Sequence, residues 1–497
     1  MPIMRTKALI PSLMAALALA AAGCGGSNKT ASATGSGGSG ADVVPASAPV
    51  FVSINSDLSS AQWKTLEKLS DKFPGKANLI TQAKASLTKQ GVNWDTDIKP
   101  ALGPEIDVAV LSLSNGASNT VVLTQPKDEA KLNAALAKGS PPHPVHEDVG
   151  GWTVYANTQA ALTAYKSASS GDKLSKQSSF TDAMASLESD AVAKVYVSGT
   201  AITQAAANSA SSTGGIDTAS LVGKLQWIAA SAVASDNGLK VQGNVKSDKT
   251  LGGAKAYAAK LPDTLPSGAL VYFSFSDLAT GLKTALAQAG KSVPNFETQK
   301  AQLEQALGFT IDKDLLPLFA NEGAIAVYPG TPIPTIDVVL TVDDTAKATS
   351  VLDRLGALAN LAGGGAVKPV TIGGLSAKQL SFGTYSIFYA GFGGKLAISS
   401  TETGLAALNG SGSKLKNDPV YTDALSAAGV PDSTNGFFYV NLKEGAQSLL
   451  GLASLAGGTN QAQLDQVRSN VRPLQSFIIY STQKDGITSG TGFLGIK

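Results

Sequence analysis

Two acidic motifs are the residue patterns best suited to chemistry in this sequence. Each has two aspartates one residue apart, followed by a glutamate: Asp95, Asp97 and Glu105, and Asp312, Asp314 and Glu322. Paired carboxylates bind cations or transfer protons. An aspartate beside a short helix also caps it, because the carboxylate accepts hydrogen bonds from free backbone N–H groups. Since neither motif carries the further oxygen ligands of a calcium loop, we interpret both as structural.

The two histidines of the chain, His143 and His146, lie together beside Glu147 and Asp148. Imidazoles three residues apart next to acids suggest a metal site. Pro144 favours extended backbone, however, in which those two rings point to opposite faces. We therefore interpret the segment as the exposed start of a strand and expect no metal.

Other catalytic patterns are missing. The sequence has no Gly-x-Ser-x-Gly elbow, and its two histidines leave a serine triad almost without a base. The glycines around Gly393 lack the spacing of a phosphate loop, and no parallel dinucleotide-binding unit is evident. We expect no enzyme activity and no cofactor. A hydrolase that uses clustered carboxylates in one cleft is the remaining enzymatic alternative.

The only cysteine, Cys24, follows an apolar leader. Arg5 and Lys7 form a basic start, residues 8–22 are almost entirely apolar, and small residues precede the cysteine, as in a bacterial lipobox. We predict a signal peptide over residues 1–23 and a diacylglycerol on the Cys24 thiol, each buried methylene adding about 0.8 kcal/mol of membrane affinity. An ordinary secretory leader or an uncleaved anchor is the alternative.

The Gly- and Ser-rich residues that follow predict a flexible linker. With the lipidated cysteine it spans residues 24–41 and would bridge about 20–25 Å. The 39 basic residues include two in the leader, so the mature chain has 37 basic and 37 acidic residues. A balanced charge without a basic stripe argues against nucleic acid as a partner.

An internal repeat sets the architecture. Residues 91–124 align with residues 308–341 without a gap, and 11 of the 34 positions are identical, including Val121–Thr124 against Val338–Thr341. Alternating segments at residues 50–54, 105–111, 121–125 and 152–156 predict strands, with helices between them. Tight turns near Asn237 and Asp485 predict closing hairpins.

These elements predict an α+β fold of two tandem homologous domains, residues 42–250 and 251–497, each a largely antiparallel sheet packed with helices. The second copy is longer between Val370 and Gly394. We predict an added hairpin there that turns at residues 391–394.

The chain also resembles a known family. The segment Pro45–Val52, the Asp-x-Asp-x-x-Pro pattern within Gly91–Pro100, and Glu105 leading into a strand are similar to the bacterial domain-of-unknown-function family 3352. Its members are exported, often lipid-anchored proteins without an assigned reaction. The resemblance therefore implies a fold and a location, and it carries over no catalytic residue.

One difference between the copies suggests a binding surface. Leucines of the second copy stand where the first copy has small and polar residues: Leu355, Leu358, Leu361, Leu449, Leu450, Leu452 and Leu455. Such apolar helices line a groove for a lipid or protein partner, or simply cover the sheet of their own domain.

Together these observations predict an extracytoplasmic protein anchored to the bacterial cell membrane through Cys24. We expect a non-enzymatic binding or structural role, with the membrane and an unidentified protein or lipid as partners. The alternative is a carrier of an apolar ligand, which requires a cavity of several hundred Å³ in the second domain.

Overall fold

The structure, a computed structural model, describes residues 39–113, 119–138, 143–210, 224–248, 255–330, 333–361, 365–446 and 461–497. The chain divides into two compact units. The first domain is Met1–Lys249 with Ser469–Pro473 and Ile496–Lys497, and the second is Thr250–Arg468 with Leu474–Gly495.

The first domain contains one antiparallel sheet with the strand order β4-β5-β3-β2-β1-β6-β7-β8. Its strands are β1 Val50–Asn55, β2 Glu105–Val110, β3 Thr120–Thr124, β4 Val145–Val149, β5 Trp152–Ala156, β6 Ala193–Ser198, β7 Leu225–Ser235 and β8 Gly238–Ser247. Its helices are α1 Ala61–Ser70, α2 Lys76–Thr88, α3 Glu129–Ala137, α4 Gln159–Ala168, α5 Ser178–Ala185 and α6 Gly199–Ala210. Shorter turns of helix are Gly40–Asp42 and Leu174–Lys176, of the 3-10 type, and Trp94–Ile98, of the π type.

Helices pack on both faces of this sheet. On one face Ser60 caps α1 by accepting the N–H of Trp63, and the Trp63 indole donates to the Asn55 carbonyl at 2.7 Å. On the other face Phe180 of α5 meets Phe51 of β1 edge to face, with ring centroids 5.5 Å apart. The sheet is therefore buried on both sides, which explains why β3 and β5 read as nearly continuous apolar runs.

The second domain repeats this sheet with the order β12-β13-β14-β15-β11-β10-β9-β16-β17, again antiparallel. Its strands are β9 Val271–Ser276, β10 Glu322–Tyr328, β11 Thr335–Thr341, β12 Lys368–Ile372, β13 Leu375–Phe382, β14 Tyr385–Phe392, β15 Lys395–Ser399, β16 Gly436–Asn441 and β17 Leu474–Lys484, followed by β18 Ile487–Ile496.

Helices of the second domain follow the same sequence of elements. They are α7 Leu278–Ser292, α8 Phe296–Leu307, α9 Thr345–Leu361, α10 Glu402–Asn409, α11 Pro419–Ala428 and α12 Gln461–Val471. Short turns are Leu261–Asp263, Leu316–Phe319 and Leu415–Asn417, of the 3-10 type, and Ile311–Leu315, of the π type. The fold class predicted from the sequence, α+β with two tandem homologous domains, is confirmed.

The prediction of an added hairpin needs a correction. The turn at Gly393–Gly394 joins β14 to β15 and corresponds to the turn at Gly150–Gly151 between β4 and β5, so both domains share that hairpin. The added pair is β12 and β13, which turn at Gly373. Gly-Gly pairs with positive φ occur at all three turns, and the sequence alone therefore could not separate the added hairpin from the shared one.

Among the described residues, no helix is both long enough and apolar enough to cross a membrane.

Candidate functional site

The first acidic motif is tied into the fold. Asp95 accepts from Lys84 at 2.7 Å. Asp97 accepts the N–H of Asn93 at 3.0 Å, at the start of the π turn, and the ammonium of Lys138 at 2.6 Å. The Asn93 N–H, followed by Lys138, lowers the pKa of Asp97 to about 2. This motif therefore stabilises the turn, and its Asp97 is held in the charged form at neutral pH.

The second acidic motif has the same contacts. Asp314 accepts the N–H of Thr310 at 2.8 Å and lies 3.0 Å from Lys347, and these groups lower its pKa. Asp312 pairs with Lys300. The structural interpretation of the motif thus describes both copies, but the capping residues are Asn93 and Thr310, whose side chains accept the free N–H groups of the turns. Asp97 and Asp314 accept the N–H groups of these two cap residues in return.

The two matching glutamates have different partners. Glu105 accepts from the hydroxyl of Ser53 at 2.9 Å. Glu322 instead accepts the N–H groups of Lys260 and Leu261, each at 2.9 Å, at the start of the 3-10 turn Leu261–Asp263. Burial raises the pKa of Glu322, although both N–H groups act against the rise.

The histidine segment forms the edge strand β4. His146 lies 3.2 Å from the side-chain nitrogen of Asn133 and 3.7 Å from Glu129, and its ring packs on Tyr155. His143 is exposed. No group of three or more His, Cys, Asp or Glu side chains suited to a metal is found in the part of the chain that the structure describes.

The sequence analysis did not single out two aspartates that are buried in the structure. Asp107 of β2 and Asp337 of β11 are each 0% exposed, and neither side chain has a hydrogen-bond partner within the described residues. Burial raises the pKa of both, and the neighbouring Glu105 raises that of Asp107 further. A sequence signal existed, because each aspartate stands between isoleucine and valine inside a strand.

Each buried aspartate lies against a glycine. A Cβ on Gly40 would lie 1.9 Å from Oδ2 of Asp107, and one on Gly404 would lie 2.7 Å from Oδ1 of Asp337. The two acids therefore fill space that a glycine leaves open, and they are wrapped by protein rather than placed in a cleft.

An apolar cavity of about 20 Å³ lies in the first domain. It is lined by Leu102, Ile106, Val122, Thr124, Leu132, Leu136 and Tyr155. This volume suits about one water molecule and no acyl chain.

The second domain has an apolar sheet face that extends over three strands. Cross-strand pairing aligns six side chains in two rows, Phe273, Phe438 and Ile479, and Val271, Val440 and Phe477. We call these six residues the apolar face. Phe273 is 38% exposed and Ile479 is 44% exposed. The face is continuous with the domain core, because the Phe273 ring lies 5.7 Å from that of Phe275.

The corresponding face of the first domain carries smaller residues, and each of them is half-buried. Its rows are Val52, Val195 and Ala230, and Val50, Val197 and Ile228. Helix α6 contacts β6 and β7, and α1 contacts β7. Gln62 holds α1 there, because its amide oxygen accepts the N–H of Ala234 at 2.8 Å.

The predicted leucine surface is described only in part. Leu355 is half-buried and packs against an apolar cluster that includes Phe275, Leu340 and Leu396. Helix α9 contains Leu358 and Leu361, but their side chains lie outside the described residues. The same holds for the leucines at 449, 450, 452 and 455 and for Cys24.

Comparisons with known proteins identify a family and no activity. A family model described as "Protein of unknown function (DUF3352)" matches residues 9–145 and 149–494. Crystal form IV of TP0453 is similar at 10% identity, over 46% of this chain and 76% of that chain, with a TM-score of 0.25. Crystal form I of TP0453 is similar at 11% identity, over 47% of this chain and 78% of that chain, with a TM-score of 0.25. A TM-score of 0.25 indicates neither a shared fold nor a shared function. No curated protein matches the chain. The family model covers nearly the whole sequence, and the chain belongs to the DUF3352 family.

Proposed function

We propose that this protein is an exported lipoprotein, anchored to the bacterial cell membrane through Cys24, that binds a partner through the apolar face of its second domain. The role is non-enzymatic. The partner is a polypeptide that presents an apolar helix, because helices contact the corresponding strands β6 and β7 in the first domain.

The apolar face carries this proposal. Burial of apolar surface stabilises a protein by about 25 cal/mol for each Å², and apolar area that stays exposed to water does not contribute this free energy. Phe273 and Ile479, side by side with Phe438 between them, leave such area in one continuous patch. Patches of this kind mark binding sites more often than isolated exposed residues do.

The acidic residues support a non-enzymatic role. Asp95, Asp97, Asp312 and Asp314 pair with lysines, and Asp107 lies buried under Gly40. A carboxylate hydrolase needs acids with shifted pKa values that face a common cleft. Asp107 and Asp337, whose pKa values are raised by burial, are instead enclosed within the packing of their domains.

Replacement of the apolar face tests the proposal. The variant Phe273→Ser/Ile479→Ser should bind the apolar dye anilinonaphthalene sulfonate several-fold more weakly than the wild-type chain. Leu79→Ser is the matched control, since Leu79 is 65% exposed on α2 and lies outside the face. Equal dye binding by wild type and the double variant would show that the face is not accessible, and the proposal would fail.

Native mass spectrometry separates the partner proposal from the carrier alternative. A protein that co-purifies with the wild type and is lost from the double variant supports the proposed function. A lipid that co-purifies and is lost in the same way would instead support the carrier function. For that function the leucines at 449, 450, 452 and 455 remain the predicted lipid-binding residues. The cavity of the first domain, at about 20 Å³, does not supply the space that a carrier requires.

A further inference from the structure

The first domain begins with a seated segment, residues 39–48, which we call the N-terminal segment. The Tyr165 hydroxyl donates to the Val43 carbonyl at 2.9 Å, and the N–H of Leu174 donates to the Val44 carbonyl at 2.9 Å. Ala41 and Val44 are fully buried. The segment is therefore part of the core, although residues 39–41 lie within the predicted flexible linker of residues 24–41.

Asp107 lies beneath this segment. It stands opposite Ser53 in the register of β1 and β2, and its Oδ2 atom abuts Gly40. The charged group that acts on it is Glu105 of its own strand, while Ser53 and the Gly40 backbone face it from other elements. Burial, followed by Glu105, raises the pKa of Asp107 well above its usual range, and Ser53 and the Gly40 backbone act in the opposite direction.

The second domain holds its corresponding segment by other means. Residues 261–275 correspond to residues 40–54, so that Leu261 takes the place of Gly40 and Ala324 that of Asp107. Both are buried apolar residues. Glu322 accepts two backbone N–H groups there, which are the donors that a charged carboxylate prefers. The second domain thus needs no neutral acid beneath its segment.

We propose that Asp107 and the N-terminal segment form an acid-closed latch: with the carboxyl group neutral the segment stays seated, and with the carboxylate charged the segment opens. A charge that is buried beside a second carboxylate is unfavourable. Opening of the segment admits water to the carboxylate, and the released proton passes to solvent. The closed form therefore binds the proton more tightly than the open form.

The latch governs how far the anchored protein reaches. Release of the segment would free its ten residues as extended chain, up to roughly 35 Å. This consequence rests on the proposed membrane anchor, whereas the latch itself does not. The test below uses no lipid, so that failure of the latch and failure of the anchor are distinguishable.

Hydrogen exchange of the full chain, followed by mass spectrometry between pH 4 and pH 8, tests the latch. After correction for intrinsic exchange rates, the exchange data give the equilibrium constant for opening of residues 41–48. This constant should increase by up to about tenfold per pH unit until the carboxyl group of the closed form has titrated. Asp107→Asn should keep the segment protected and remove this rise.

Two further variants keep the test decisive. Asp337→Asn, which changes the buried acid of the second domain, should leave the exchange of residues 41–48 unchanged. If Asp107→Asn does not fold, Asp107→Ala, with the residue that the second domain carries at this position, should give the same loss of pH dependence. Wild-type protection that does not change with pH, or a pH dependence that survives these Asp107 variants, would overturn the proposal.

Discussion

Gly40 and Asp107 fit together only because Gly40 has no side chain: a Cβ on Gly40 would lie 1.9 Å from Oδ2 of Asp107. The second domain has Leu261 and Ala324 at these positions, so the larger residue has moved from the strand to the turn. The duplicated domains thus solve one packing problem in two ways.

This relationship predicts strong coupling between the two positions. Gly40→Leu alone should destabilise the first domain by about 1–3 kcal/mol through overpacking. Combined with Asp107→Ala, which recreates the pair of the second domain, it should cost less than the sum of the single changes, with a coupling of about 0.5–3 kcal/mol. Urea unfolding of the four proteins measures this cycle. Additive losses would show that the two side chains do not share the space.

Asp337 should make the second domain more stable in acid. Its pKa is raised by burial, so its contribution is complete below the ordinary value near 4 and is lost as the pH rises through the raised value. Asp337→Asn should therefore gain about 1–3 kcal/mol over wild type at pH 8 and gain nothing at pH 4. Urea unfolding at both values tests this expectation. An equal effect at pH 4 and pH 8 would contradict it.

Asp97 should have the opposite pH dependence. Its pKa is lowered to about 2 by the Asn93 N–H and then by Lys138, so its contribution is present above the ordinary value and is lost as the pH falls toward 2. Asp97→Asn should lower the melting temperature at pH 7 and have little effect near pH 2. Asp95→Asn, which removes an exposed pair with Lys84, is the matched control and should cost less than about 1 kcal/mol. Equal losses in the two variants at pH 7 would contradict this role of Asp97 at the turn.

Truncation of a side chain that lines the first-domain cavity should destabilise the domain strongly. Leu132→Ala removes a buried side chain beside a cavity of about 20 Å³ and should cost about 2–5 kcal/mol. Leu79→Ala, on the exposed surface of α2, should change stability by less than about 0.5 kcal/mol. Chemical unfolding compares the two variants, and a similar loss in both would exclude a rigid core at this site.

The sequence was informative wherever local pattern decides structure. The segment Val50–Ile54 alternates as a strand does, and it forms β1. Gly91 and Gly308 have the positive φ that is expected where a helix ends. The apolar neighbours of Asp107 in β2 were a signal of its burial, but its contact with Gly40 could not be predicted, because Gly40 lies far away in the sequence and packs over it only in the fold. The apolar face was missed for a similar reason. Its rows form only when β9, β16 and β17 pair side by side.

Metabolic labelling with palmitate tests the central claim that this chain is fastened to a membrane outside the cytoplasm through Cys24. The wild-type protein, expressed in a bacterial host, should incorporate label and sediment with membranes. Cys24→Ala should lose both the label and the membrane association. Equal labelling of the two proteins would contradict the anchor.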